Sequence, residues 1–260
     1  MIAAAALATS LLTSGISLGP GGLANLADNT LIQNPGEPPK VMGFGGNFSL
    51  GYLATHSADT TTSLNTELKL GYNSENWQHM LDLRAISAST NDNTTAEQYF
   101  GAWQSNLLLS PRSYVFGYLG YIHDRFSGYR YQGSEVAGYG YSLINTKTQT
   151  LKLEAGVGAT QAEQIGDGSQ RSGVIRGVEE YSWQFSSTGS VGENVTLEKS
   201  NFNLYSQFQA NVKAQLIGNL AFVLAYNIQH NSNVFMGPQT TSFTSVSIQY
   251  AFGSSIFASP

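Results

Sequence analysis

Apolar and polar residues alternate along almost the whole stretch from Gly43 to Phe252. In residues 242–252, Val246, Ile248, Tyr250 and Phe252 take every second place, with Ser245, Ser247, Gln249 and Ala251 between them. A period of two marks a strand with one apolar and one polar face. No stretch shows a convincing helical period. The alternation predicts twelve strands, at 43–56, 61–73, 77–89, 98–109, 113–126, 134–145, 149–162, 171–186, 190–199, 203–216, 220–231 and 242–252. The fifth is aromatic on both faces and cannot be phased, and the ninth is weak. In the eighth, Tyr181, Trp183 and Phe185 set an apolar face that also takes in Glu179. The adjacent Glu179 and Glu180 therefore require a bulge or a neighbour.

Three features turn the apolar face outward, to lipid. Soluble strands usually have five or six residues, whereas these run to about 10–14, and a tilted membrane-spanning strand needs about 9–11. The links after strands two, four, six and ten are short, whereas those after three, seven and eleven are longer and polar, the habit of outer-membrane barrels. The polar face is small and amide-rich, with charges in near-opposite pairs: Glu67 with Lys69, Asp82 with Arg84, and Lys152 with Glu154. Such groups would be costly in a soluble core, and a solvated sandwich surface would carry more Lys and Glu. In hydrocarbon every backbone polar group must be paired, so the sheet must close. The expected fold is an all-β, closed antiparallel up-and-down transmembrane β-barrel of about 12 strands.

Composition narrows the function. Charged residues make up 11% of the 260-residue chain, against roughly 25% in an ordinary soluble domain. The net charge of −5 and the lack of a basic patch argue against nucleic acid as a partner. With no cysteine, a disulfide scaffold, a Cys-ligated zinc site and a thiol nucleophile are excluded. Residues 1–24 are apolar or small without a charge and read as a secretory leader, although the usual positive start is missing. Residues 25–42 read as a linker, 43–252 as the barrel and 253–260 as a tail. No run of about 18 apolar residues elsewhere supports a transmembrane helix.

The residues expected to line the lumen are Glu67, Lys69, Asp82, Arg84, Lys152, Glu154 and Lys213, either along a narrow pore or as an ion-pair network filling the barrel. Those expected at the membrane interfaces are Tyr52, Tyr72, Trp77, Tyr99, Trp103, Tyr181, Trp183 and Tyr250. His123 with Asp124 and His230 with Ser232 are the residues that an outer-membrane lipid hydrolase, the alternative function, would draw on. Sequence neighbours on a strand point to opposite faces, so adjacency makes no triad. A metal site from His56, His123 and His230 has no ligand geometry behind it. No catalytic residue, metal or cofactor is expected. The glycines of GYGY (138–141) and GVG (156–158) read as strand glycines that make room in the lumen, since a phosphate loop needs a following helix.

The segments GGNFSLGYLAT (45–55), AEQYFGAWQSN (96–106), SYVFGYLGYIHDRFSGYRYQGSEVAGYGY (113–141), VEEYSWQFS (178–186) and SFTSVSIQYAF (242–252) closely resemble the salt-induced outer-membrane proteins, domain of unknown function 481. The resemblance covers about residues 43–252. It implies an outer-membrane β-barrel of a Gram-negative bacterium, without defined biochemical activity and with a possible link to salt or osmotic stress. Lipid, lipopolysaccharide and the barrel assembly machinery would be its partners. Residues 247–252 also resemble the C-terminal insertion signal of such barrels, with Tyr250 and the closing Phe252, although this chain continues for eight more residues.

Overall fold

The computed structural model describes residues 43–56, 60–125, 129–164, 166, 168–234 and 239–253. The leader, the linker and residues 254–260 of the tail lie outside them. The described residues form twelve strands: β1 (Gly43–His56), β2 (Thr60–Asn73), β3 (Trp77–Thr90), β4 (Asn93–Ser110), β5 (Ser113–Asp124), β6 (Tyr129–Asn145), β7 (Gln149–Gln164), β8 (Gly168–Gln184), β9 (Gly189–Ser200), β10 (Leu204–Ile217), β11 (Leu220–Asn231) and β12 (Thr240–Gly253). Each pairs antiparallel with its sequence neighbours, and β1 pairs with β12 to close the barrel. Closure removes the free edges that a membrane would not tolerate.

The faces are inverted relative to a soluble protein. Phe48, Leu50 and Tyr52 of β1 and Val246, Ile248 and Tyr250 of β12 stand exposed on the outside. Asn47, Ser49 and Gln249, the intervening residues of the same strands, are buried inside. The apolar face of the alternation thus looks outward, as lipid requires. The register also phases the aromatic fifth strand. Tyr114, Phe116, Tyr118 and Ile122 are buried in the interior, while Val115, Leu119 and Tyr121 are exposed outside.

Gly43 and Gly253 lie at the same end of the barrel as the links 74–76, 111–112, 146–148, 185–188 and 218–219, here called the turn end. The opposite, loop end does not carry long links throughout. The polar stretch 89–97 is mostly strand: β3 runs to Thr90, β4 starts at Asn93, and only Asn91 and Asp92 turn. Both have positive φ, 49° and 63°, as a two-residue hairpin turn requires, and Asn and Asp tolerate that region. Asn91 Oδ1 accepts a hydrogen bond from the Thr60 amide at 2.9 Å, tying this turn to β2. The stretch 163–170 is likewise shortened to 165–167 by extension of β7 and β8. The polar composition there reflects strands that project beyond the apolar band.

β8 keeps its register with both neighbours, without a bulge. Glu180 faces inward opposite Lys152, and Glu179 faces outward, half-buried, opposite Leu153 and Val195. A neighbour therefore accommodates Glu180, while Glu179 stands on the outer face.

Candidate functional site

The interior has two unlike walls. Strands β2 to β8 carry bulk and charge. Phe100, Ala102, Tyr114, Phe116, Tyr118, Ile122, Val136 and Val174 form one buried apolar cluster inside the barrel. Glycines on the neighbouring strands make room for its rings: a Cβ on Gly140 would sit within the Tyr114 ring, and one on Gly138 would meet Phe116. This is the role that the glycines of GYGY serve.

Around the cluster run buried ion pairs. Arg84 is held by Glu67, with Nε to Oε1 at 2.7 Å, and by Asp82, and its guanidinium lies 5.5 Å from the Phe100 ring centre. Lys69 Nζ reaches Glu67 at 3.2 Å. Lys152 Nζ donates to Glu180 Oε1 at 3.2 Å rather than to Glu154. The register explains the choice, because Lys152 and Glu180 are directly opposite across β7 and β8. Glu154 instead accepts the Tyr114 hydroxyl at 2.7 Å and the Gln104 amide at 2.9 Å. Lys213 is half-buried on the inward phase of β10 near the turn end, opposite Val223 and Ser190.

Arg176 and Glu198 complete the network. Arg176 Nη1 donates to Glu198 Oε1 at 3.3 Å, and the guanidinium lies 4.4 Å over the Tyr118 ring. Arg176 is 1% exposed. Its Nε and Nη2 find no protein partner, nor do the hydroxyls of Tyr118 and Tyr205 or the amides of Gln132 and Gln207. Sequence reading missed Arg176, Glu198 and Glu180, although the phase set by Tyr181 and Trp183 already put Glu180 and Arg176 on the polar side. Tyr114 and Tyr118 carried no such signal, because both faces of β5 are apolar.

The other wall, from β9 through β12 to β1, is lined mainly by amides and small side chains, with Glu198, Tyr205 and Lys213 as exceptions. Asn47, Ser49, Asn194, Gln209, Asn227 and Gln249 are buried there. Short ladders join some of them, such as Gln229 Nε2 to Asn227 Oδ1 at 2.9 Å and Gln249 Nε2 to Ser49 Oγ at 3.3 Å. At the loop end a strap crosses the mouth. The Tyr129 hydroxyl donates to the Asn233 carbonyl at 3.0 Å. Tyr129 begins β6 and Asn233 follows β11, five places away in a ring of twelve. Asn203 anchors the strap, donating to Asn231 Oδ1 at 2.6 Å and accepting from Ser232 Oγ and the Asn233 amide.

The aromatic residues expected at interfaces all stand outside. Tyr52, Tyr72, Trp77, Tyr99, Trp103, Trp183 and Tyr250 are exposed, and Tyr181 is half-buried on the same face. Tyr72, Trp77, Trp183 and Tyr250 lie near the turn end, Tyr52 and Tyr99 toward the loop end, and Trp103 midway along β4. Phe252 is half-buried, opposite Gly46. His79, His123 and His230 are scattered on the outer face. His79 stacks among Tyr72, Trp77 and Trp103 and shares a hydrogen bond with Ser105, while His123 stacks on Tyr99. His230 Nδ1 is 2.8 Å from Thr240 Oγ1. The side chain of His56 is outside the described residues. Among the described residues no group of three or more His, Asp or Glu could hold a metal ion.

The family described as "Protein of unknown function, DUF481" matches residues 48–252. Among curated proteins, the uncharacterized protein YdiY of Escherichia coli (strain K12) is 24% identical over 206 residues, 78% of this chain and 79% of that one. Among solved structures, an outer membrane channel from Pseudomonas putida F1 aligns over 88% of this chain and 100% of its own, at 10% identity and a TM-score of 0.50. The NanC porin aligns over 82% of this chain and 99% of its own, at 12% identity and a TM-score of 0.49. At these identities the likeness concerns the fold.

Proposed function

The chain belongs to the DUF481 family, and we propose that it is a narrow outer-membrane pore for small hydrophilic solutes, without enzymatic activity. The contrast between the two lumen walls carries this reading. A barrel that served only as a membrane anchor could pack its interior evenly. Here one wall is bulky and cross-linked, while the other presents amides and hydroxyls along the barrel's length. Buried groups without protein partners, such as the Gln207 amide and the Tyr205 hydroxyl, suit a lumen wetted by water or solute. Twelve strands lie between barrels filled by side chains and those with an open aqueous channel, so conductance should be small. In this reading the chain resides in a Gram-negative outer membrane. Its outer face meets lipid and lipopolysaccharide, and Tyr250 and Phe252 are read by the assembly machinery. The outward histidines give a hydrolase no shared site.

Single-channel recording of refolded protein in a planar bilayer tests the proposal, with heat-modifiable gel mobility as the folding control. Steady conductance above the lipid baseline is expected. A folded barrel that never conducts would overturn the pore and leave a structural role.

A further inference from the structure

The outer wall is aromatic on one side of the barrel and small on another. Where β3 meets β4, Leu81 stands opposite Trp103 and Ala85 opposite Tyr99 on the outer face. Where β7 meets β8, the outward pairs are Ala155 with Gly177, Val157 with Ile175, and Ala159 with Gly173. This strip ends toward the turn end at Leu153 opposite Glu179, and toward the loop end at Gln161 opposite Arg171. Val157 and Ile175, at its centre, are 65% and 66% exposed. The barrel itself does not call for the two glycines. A Cβ on Gly177 would meet nothing within 4 Å, and one on Gly173 only the Gly158 carbonyl oxygen at 3.8 Å. Neither has a positive φ. Glycine inside a strand weakens it and often marks the close approach of another backbone. Here the side left open for that approach is the outside.

Opposite charges flank the strip. β6 borders it on one side and β9 on the other. Glu135 of β6 is exposed on the outer face, opposite Leu119 and Ala159. Lys199 of β9 is exposed there too, opposite Ile175 and Leu204. None of the ion pairs among the described residues includes either. The two stand at matching depth. Glu135 is ten positions before Asn145, where β6 reaches the turn end, and Lys199 is ten positions after Gly189, where β9 leaves it. The bulge at 142–144 alters that match by one position. Charged side chains on a lipid-facing wall are costly and seek partners. Within one barrel these two are three strands apart, with the strip between them.

We propose that the β7–β8 face is a homodimer interface, occupied by a second copy of this chain about a two-fold axis that runs along the membrane normal through the strip. Such an axis turns each β6 toward the other barrel's β9. Glu135 then faces the partner's Lys199 at one edge, and Lys199 faces the partner's Glu135 at the other, the reciprocity of an isologous contact. Val157 meets the partner's Ile175, and the small residues beside them let the two walls close in. A lipid phosphate would account for Lys199 but not for Glu135. A second copy accounts for both, and for their equal standing on either side of one seam. The dimer does not depend on ion conduction, so its failure and that of the pore are distinguishable.

The chain has no native cysteine, so Glu75→Cys, exposed in the link 74–76, can carry one fluorophore per barrel. The labelled full chain is reconstituted sparsely in phosphatidylcholine vesicles, with folding checked by heat-modifiable mobility, and bleaching steps are counted. Two steps are expected for the wild type. Glu135→Lys alone, or Lys199→Glu alone, sets like charges against each other at both edges and should lower dimer association about tenfold or more. An equal mixture of the two variants restores opposite charges at both edges and should restore two-step bleaching. If a charge variant does not fold, Gly177→Trp, which puts bulk on the strip, should likewise give single steps. Single-step bleaching of the folded wild type would overturn the dimer. A dimer that survives Glu135→Lys, Lys199→Glu or Gly177→Trp would overturn this face as its interface. Single variants that lose the dimer without rescue in the mixture would overturn the two-fold pairing.

Discussion

The two lumen walls differ in how each position is held. On the β2–β8 wall, Arg84, Lys152 and Arg176 each have a carboxylate partner on a neighbouring strand, and rings fill the space that glycines leave. On the β9–β1 wall, short amide ladders do the joining, many along one strand, and buried amide atoms such as Nδ2 of Asn194 and Asn227 lack protein partners. Both walls face the same lumen and are built from the same alternation. The first is set by specific pairs and tolerates little change. The second is set by polarity and small size, and water or solute can complete it. A pore needs both: a constriction, and a path beside it.

The sharpest way to break the contrast is to remove Arg176. Truncating one partner of a buried ion pair leaves the other charge unpaired and costs about 3–5 kcal/mol. Arg176→Ala should therefore lower the urea midpoint of unfolding markedly, while Asn227→Ala on the opposite wall should cost only about 1 kcal/mol. Where the barrel still folds, Arg176→Ala should also raise conductance, because the side chain over Tyr118 narrows the lumen. Equal stability losses at the two sites would dissolve the distinction.

Packing comes next. Gly140→Ala would drive a methyl group into the Tyr114 ring and should cost about 1–3 kcal/mol. Gly177→Ala, on the outer face with open space where the added Cβ would sit, should be close to neutral. The same urea titrations, run side by side, compare them.

How much of this could be read in the sequence differs between the walls in the same way. Period-two alternation made β10, β11 and β12 plain, because Gln207, Gln209, Asn227 and Gln249 announce the polar face by chemistry alone. β5 was opaque. An interior that packs aromatics erases the contrast between faces, and only cross-strand register puts Tyr118 inside and Leu119 outside. Partner choice was hidden for a related reason. Glu67 with Lys69 and Asp82 with Arg84 are two apart on one strand and do meet, but Lys152 turns to Glu180, which only register brings opposite. Loop lengths were overestimated because polar strand extensions above an apolar band look like loops. The end of the β1–β12 ladder at Leu50 and Ile248 has no sequence signal.

Charge should matter on the packed wall more than on the other. Lys69→Glu and Arg84→Glu should each shift the reversal potential of a salt gradient toward cation selectivity. Lys213→Glu should shift it less, since Lys213 is half-buried and lies nearer the turn end than Arg84 and Arg176 do. An unchanged reversal potential in a conducting Arg84→Glu barrel would remove the charged wall from the ion path.

The smallest expected change is at the mouth, where the two walls are joined. Tyr129→Phe deletes one hydroxyl and with it the bond to the Asn233 carbonyl. A neutral hydrogen bond of this kind contributes about 0.5–1.5 kcal/mol, so the urea midpoint should barely move. Asn233 would remain tethered by its amide and side chain to Asn203 and Phe202, on its own side of the mouth. The strap would then be anchored at one end instead of two. Brief closures in the single-channel record should change in frequency by about 2- to 12-fold, the range that 0.5–1.5 kcal/mol allows, while the open-state conductance stays that of the wild type. A change in open-state conductance without a change in closures would instead make Tyr129 part of the constriction, and the walls would be coupled below the mouth rather than across it.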